Sequence, residues 1–148
     1  MEKKNTVLIV DDAFANRALL KKALSGIYHV LEAESGDEAL GVMRDTPTIS
    51  IIVLDLMMPG TDGYAVMRAM RDDVALCEIP VVVVTGKEDE ESQLKALELG
   101  AQDVIHKPFS AKIVLQRIKN ILARQESILA AEQSEAYKAE LQWKEEQL

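Results

Sequence analysis

The stretch ISIIVLDLMMPGTDG, residues 49–63, decides the fold. Its first half is apolar and mostly β-branched, and it does not alternate with polar residues. A strand buried on both faces of a parallel sheet reads this way. The run stops on Asp55, and a Met-Met-Pro-Gly turn follows at once. Burying a carboxylate is costly unless something compensates its charge, so an acid in this place calls for a chemical reason.

Four similar runs flank it: TVLIV at 6–10, YHVLEA at 28–33, IPVVVV at 79–84 and DVIH at 103–106. Between the runs, apolar residues recur with helical spacing. Leu19, Leu20, Ala23 and Leu24 form one stripe, and Ala39, Leu40 and Met43 a second. Tyr64, Met67, Ala69 and Met70 mark a third helix, Leu94, Leu97 and Ala101 a fourth, and Ile113, Val114, Ile118, Ile121 and Leu122 a fifth. SGDE at 35–38 has the form of a capping box. Ser110 suits an N-cap, and Gly100 a helix stop. Strand and helix therefore alternate five times. The spacing predicts a doubly wound α/β domain, with a five-stranded parallel sheet, helices on both faces and an extended last helix.

Composition agrees with one domain plus an appendage. The chain has 148 residues, 48% hydrophobic and 28% charged, with a net charge of −8. That balance opposes broad electrostatic binding to nucleic acid or anionic membrane. Cys77 is the single cysteine, which excludes an intrachain disulfide. The apolar run near the N-terminus is too short for a signal peptide, and no stretch reaches membrane-span length. The expectation is a soluble, cytoplasmic protein.

In open parallel sheets the functional crevice lies beyond the carboxyl ends of the strands. The first strand ends in Asp11 and Asp12, the third in Asp55, the fourth in Thr85 and the fifth in Lys107-Pro108. Singly, each is an ordinary turn or loop residue. Together they bring three carboxylates, a hydroxyl and an ammonium to one edge. Clustered carboxylates raise one another's pKa or demand a cation, and hard oxygen ligands in a small wet site suit Mg²⁺. One carboxylate can then attack a phosphoryl group, with Lys107 and Thr85 binding its oxygens.

These segments resemble the receiver domain of bacterial two-component response regulators over about residues 5–122. The matching text is VLIVDDAFANRALLKKAL, VLDLMMPGTDGYAVMRAM, IPVVVVTG and GAQDVIHKPF. The resemblance implies a flavodoxin-like (βα)5 fold. It makes Asp55 the acceptor of a phosphoryl group from a histidine kinase or phosphotransfer protein. It makes Asp11, Asp12, Asp55 and the Met57 carbonyl the Mg²⁺ ligands. Thr85 and Lys107 become the phosphoryl-binding and switch residues, and Lys107-Pro108 a cis peptide. Met57 and Lys87 fall where the family tunes phosphoryl lifetime. Two positions depart from the family pattern: Val104 stands where an aromatic is frequent, and Gly86 where alanine is frequent. Both bear on how the switch is transmitted rather than on phosphorylation.

Other residues read more plainly. His29 and His106 are expected to be packed or solvated rather than phosphorylated. Cys77 is expected as a small buried or loop residue, and Met57, Met58, Met67 and Met70 as turn and core residues.

After Leu122 the chain lacks Gly and Pro and is rich in helix formers, so residues 123–148 are expected to continue the fifth helix. Leu122, Leu129, Ala136 and Trp143 recur every seven residues, joined by Ile121 and Ile128. Gln125, Glu132 and Gln133 interrupt this seam. A parallel dimeric coiled coil and a solvated helical linker to an output domain compete, and the homodimer is the favoured expectation. The functional expectation is a phospho-accepting switch, not an enzyme with an external product. Its change at Asp55 would pass through the long helix to a dimer partner or output domain. The rivals are a phosphorylation-independent interaction module and a small Mg²⁺-dependent phosphate-ester hydrolase.

Overall fold

The computed structural model describes residues 5–86 and 89–146. Strands and helices alternate as β1 (Thr6–Val10), α1 (Phe14–Leu24), β2 (His29–Ala33), α2 (Gly36–Asp45), β3 (Ile49–Asp55), α3 (Gly63–Arg71), β4 (Val81–Thr85), α4 (Glu90–Glu98), β5 (Asp103–His106) and α5 (Ala111–Glu146). The strands form one parallel sheet in the order β2-β1-β3-β4-β5. The order reverses between β1 and β3, and that switch point opens a crevice at the strands' carboxyl ends.

Successive residues of a strand point to opposite faces, and the core divides accordingly. Leu8, Val10, Ile52, Leu54, Val81 and Val83 pack on one face, against α2, α3 and α4. Val7, Ile9, Ile51, Val53, Val82 and Val84 pack on the other, against α1 and α5. Each fully buried aliphatic side chain is worth about 1.5–3 kcal/mol. The central strands thus hold their backbone, and the residues at their ends, in fixed register. The edge strands β2 and β5 are less buried.

Local signals behave as the sequence predicts, with details it does not. Ser35 Oγ accepts from the Glu38 N–H, while Glu38 reaches back to the Glu34 N–H rather than to that of Ser35. Gly100 adopts φ 106°, and Gly100 and Ala101 donate to the Leu97 and Ala96 carbonyls, a Schellman closure of α4. α5 starts directly after Ser110, whose carbonyl accepts from Ile113 and Val114.

Several apolar stripes are displaced from the core. Leu19, Leu94, Leu97 and Ile113 are exposed, whereas Ser92 and Ala96 are buried. Small residues bring α4 close to the sheet and turn its leucines outward. Met57 is exposed, unlike Met58, Met67 and Met70. Cys77 lies exposed in the α3–β4 connection. α5 is 36 residues long, with buried residues only as far as Leu122. At 1.5 Å per residue it spans about 54 Å.

Gly63 opens α3 where the chain doubles back on β3. A Cβ there would stand 2.6 Å from the Asp55 carbonyl oxygen and 2.7 Å from the Leu56 Cα. Both are backbone atoms and cannot rotate away. Gly63→Ala is therefore expected to cost about 1–3 kcal/mol. Gly41→Ala, with open space at its Cβ position inside α2, is expected to gain roughly 0.5–1 kcal/mol. Urea unfolding midpoints of the two variants measure both effects.

Candidate functional site

The carboxyl ends of β1, β3, β4 and β5 meet at the switch-point crevice. Asp11 and Asp55 are 3% and 2% exposed and Thr85 is fully buried, while Asp12 faces solvent. One carboxylate oxygen from each of Asp11, Asp12 and Asp55 lies within 4.8 Å of the others. The lysine ammonium enters this cluster from β5. Lys107 Nζ stands 3.2 Å from Asp11 Oδ2 and 3.2 Å from Asp55 Oδ2.

The two buried acids, Asp55 and Asp11, are oriented by hydrogen bonds from residues that follow them in the chain. Asp55 Oδ1 accepts from the Met57 N–H at 3.1 Å. Asp11 Oδ1 accepts from the Ala13 N–H at 2.8 Å, and its Oδ2 from Asn16 Nδ2 at 3.2 Å. The Lys107 N–H donates to the Thr85 carbonyl at 2.8 Å, which ties the hydroxyl-bearing strand end to the lysine. The Lys107–Pro108 bond is cis.

The electrostatics follow from burial. Loss of water pushes the Asp55 carboxyl above the ordinary range, and neighbouring Asp11 adds to this. The Met57 amide and Lys107 oppose the rise without cancelling it. Burial alone would lower the Lys107 pKa, but Asp55 and Asp11 outweigh it and hold the ammonium charged. Among the described residues the site is an anionic pocket holding the Lys107 ammonium, and its carboxylates suit a hard divalent ion.

The predicted residues Asp11, Asp12, Asp55, Thr85 and Lys107 converge. Met57 contributes its amide to Asp55 and leaves its side chain in solvent. Lys87 lies outside the described residues. His29 is exposed, and His106 is half-buried, its Nδ1 buried with no hydrogen-bond partner.

Sequence reasoning missed Arg17. Its Nη1 donates to the Asp11 carbonyl at 2.8 Å, and its Nε lies 3.4 Å from Glu32 Oε1. The guanidinium therefore braces the acidic loop against β2. The available signal was one arginine in α1, a short helical step from the acidic pair.

An open parallel sheet with paired acids, a buried strand-end aspartate and a lysine at its switch point defines a phosphoryl-receiving α/β domain. Residues 7–119 match the response regulator receiver domain, and the chain belongs to that family, with a phospho-accepting role in two-component signalling. It is 38% identical over 120 residues to the phosphate regulon transcriptional regulatory protein PhoB of Pseudomonas aeruginosa, covering 80% of this chain and 52% of that one. It is 40% identical over 119 residues to the transcriptional regulatory protein ResD of Bacillus subtilis, covering 80% and 48%. The chain thus spans about half the length of the curated relatives it matches. Among solved structures, the CheY-like receiver domain protein of Methanospirillum hungatei superposes with a TM-score of 0.78 at 25% identity, covering 84% of this chain and 98% of that one.

The raised Asp55 pKa has a signed consequence. The folded state favours the protonated carboxyl, so stability falls as pH rises from the unfolded value near 3.8 through the folded one. Asp55→Asn is expected to raise the unfolding temperature of the metal-free protein at pH 7. The gain should shrink below pH 4, where both states are protonated. Thermal unfolding across pH checks this.

Proposed function

We propose that Asp55 is the phosphoryl acceptor of this receiver and that Mg²⁺ is its cofactor. The observation carrying this reading is the buried Asp55 carboxylate, held between the Met57 amide and the Lys107 ammonium beside two further acids. An Asp55 oxygen attacks the phosphorus of a phosphohistidine donor. A P–O bond forms as the P–N bond breaks, and the freed imidazole takes up a proton. Lys107 then leaves its double ion pair to neutralise a phosphoryl oxygen, and the Thr85 hydroxyl donates to another. Asp11, Asp12, Asp55 and the Met57 carbonyl would hold Mg²⁺, which when bound offsets the negative charge shared by donor and acceptor.

The donor is a histidine kinase or phosphotransfer protein, and the setting is the cytoplasm. No helix among the described residues is long and apolar enough to cross a membrane. The loops bounding the site are short, which supports a switch that exchanges phosphoryl groups with protein partners over an enzyme that encloses a small substrate. We assign residues 1–122 to the receiver unit and 123–148 to an extension that pairs with a second copy and passes the change at Asp55 onward. Val104 leaves the fifth strand without a large ring to reorient, so transmission falls to Thr85 and to shifts of α4 and α5.

Intact mass after incubation with acetyl phosphate and Mg²⁺ tests the reading. One phosphoryl group should be gained, and none in Asp55→Asn or with chelator. An equal gain in Asp55→Asn would move the acceptor elsewhere. Asp12→Ala is expected to weaken Mg²⁺ binding by at least about tenfold, measured by calorimetric titration.

A further inference from the structure

Beyond Leu122, α5 leaves the domain, and the face it turns to its own sheet continues as a mixed stripe of apolar and polar residues. Val114, Ile118, Ile121 and Leu122 are buried on that face. At 3.6 residues per turn, Gln125, Leu129, Ala136 and Trp143 continue the same line along the exposed extension. Leu129 and Trp143 are 55% and 60% exposed. Where the line leaves the domain, α5 overhangs the amino ends of β3 and β4. A cavity of about 320 Å³ opens there, with Ile49, Ile79, Pro80, Leu122 and Leu129 as its apolar lining and Asn5, Ser50, Glu78, Gln125 and Glu126 as its polar lining.

We propose that this cavity receives Trp143 of a second copy, whose extension runs antiparallel along the stripe. This deepens the pairing proposed above and is independent of the chemistry at Asp55. The stripe faces its own domain, so a parallel in-register helix laid on it would carry a second domain into the same space. Two-fold symmetry would then wedge both domains between the helices. An antiparallel helix brings only its distal end to the foot of the other domain.

The side chains favour the same arrangement. Parallel pairing sets Glu132 against Glu132 and Gln125 against Gln125 at the seam. Placing Trp143 level with Gln125 of the other copy puts the two-fold midway, at Ser134. Glu132 then meets Ala136, and Leu129 meets Ala139, so large and charged residues face small ones. Trp143, the largest exposed side chain of the extension, then falls at the cavity. The two helices overlap over about 27 Å between these levels.

Spin labels at Arg124→Cys, in a Cys77→Ser background, measure the orientation directly. The full chain is used in two states: as Asp55→Asn, and with intact Asp55 after acetyl phosphate and Mg²⁺. Antiparallel pairing separates the two labels by 20 residues, about 30 Å along the axis. Parallel pairing holds them within about 20 Å, given helix axes about 10 Å apart. Trp143 is the only tryptophan, so its emission reports its own burial. A distance near 30 Å with blue-shifted emission is the expected result. Leu129→Glu, which alters an exposed side chain of the single copy, should weaken pairing at least about tenfold and shift the emission red. A short distance overturns the proposal. So does a monomer in both states up to millimolar concentration, or emission indifferent to Leu129→Glu. Failure of Asp55 to accept phosphoryl groups would leave the Asp55→Asn distances unchanged, which separates the two readings.

Discussion

One ammonium between two buried carboxylates organises the functional end of this sheet. Asp11 and Asp55 end neighbouring strands and have lost most of their water. Left alone, their charges would repel each other in a poorly screened setting. Lys107, delivered by β5 from across β4, touches both. The contact joins the ends of β1, β3 and β5, while the Lys107 amide bonded to the Thr85 carbonyl brings in β4. A phosphoryl group on Asp55 would draw on the same lysine, so modification and rearrangement of the site are linked through one cation.

The rest of the fold makes that contact possible. The central strands are buried on both faces, which fixes the height at which each terminal residue emerges. Gly63 lets α3 start against the backbone of Asp55 and Leu56, keeping the β3 loop short. Arg17 ties the Asp11 loop to β2. The acids are held from outside the cluster by Arg17 and Asn16 and from within it by Lys107.

Much of this was legible in the sequence because strand ends are marked by abrupt changes of residue type. TVLIV runs into two aspartates, ISIIVL into Asp55 and VVVV into Thr85. The rule placing chemistry at the carboxyl ends then gathered them. Partner choice was not legible: nothing in a spacing says that Lys107 touches both Asp11 and Asp55, or that Arg17 turns to a backbone carbonyl. Helical stripes were misleading where small residues set the approach, as in α4, where Ser92 and Ala96 go inward and Leu94 and Leu97 outward. The extension's seam is imperfect as a parallel coiled coil, and no spacing reveals that Leu129 lies over a cavity at the foot of the domain.

The central claim is that Asp55 is a carboxylate whose charge is disfavoured by burial and sustained by cations. The most direct measurement is the pH titration of its carboxyl carbon by NMR, first without metal and then with saturating Mg²⁺. The account predicts a metal-free midpoint above the ordinary 3.8 and a lower midpoint when Mg²⁺ is present. A midpoint at or below the ordinary value, unmoved by Mg²⁺, would contradict it.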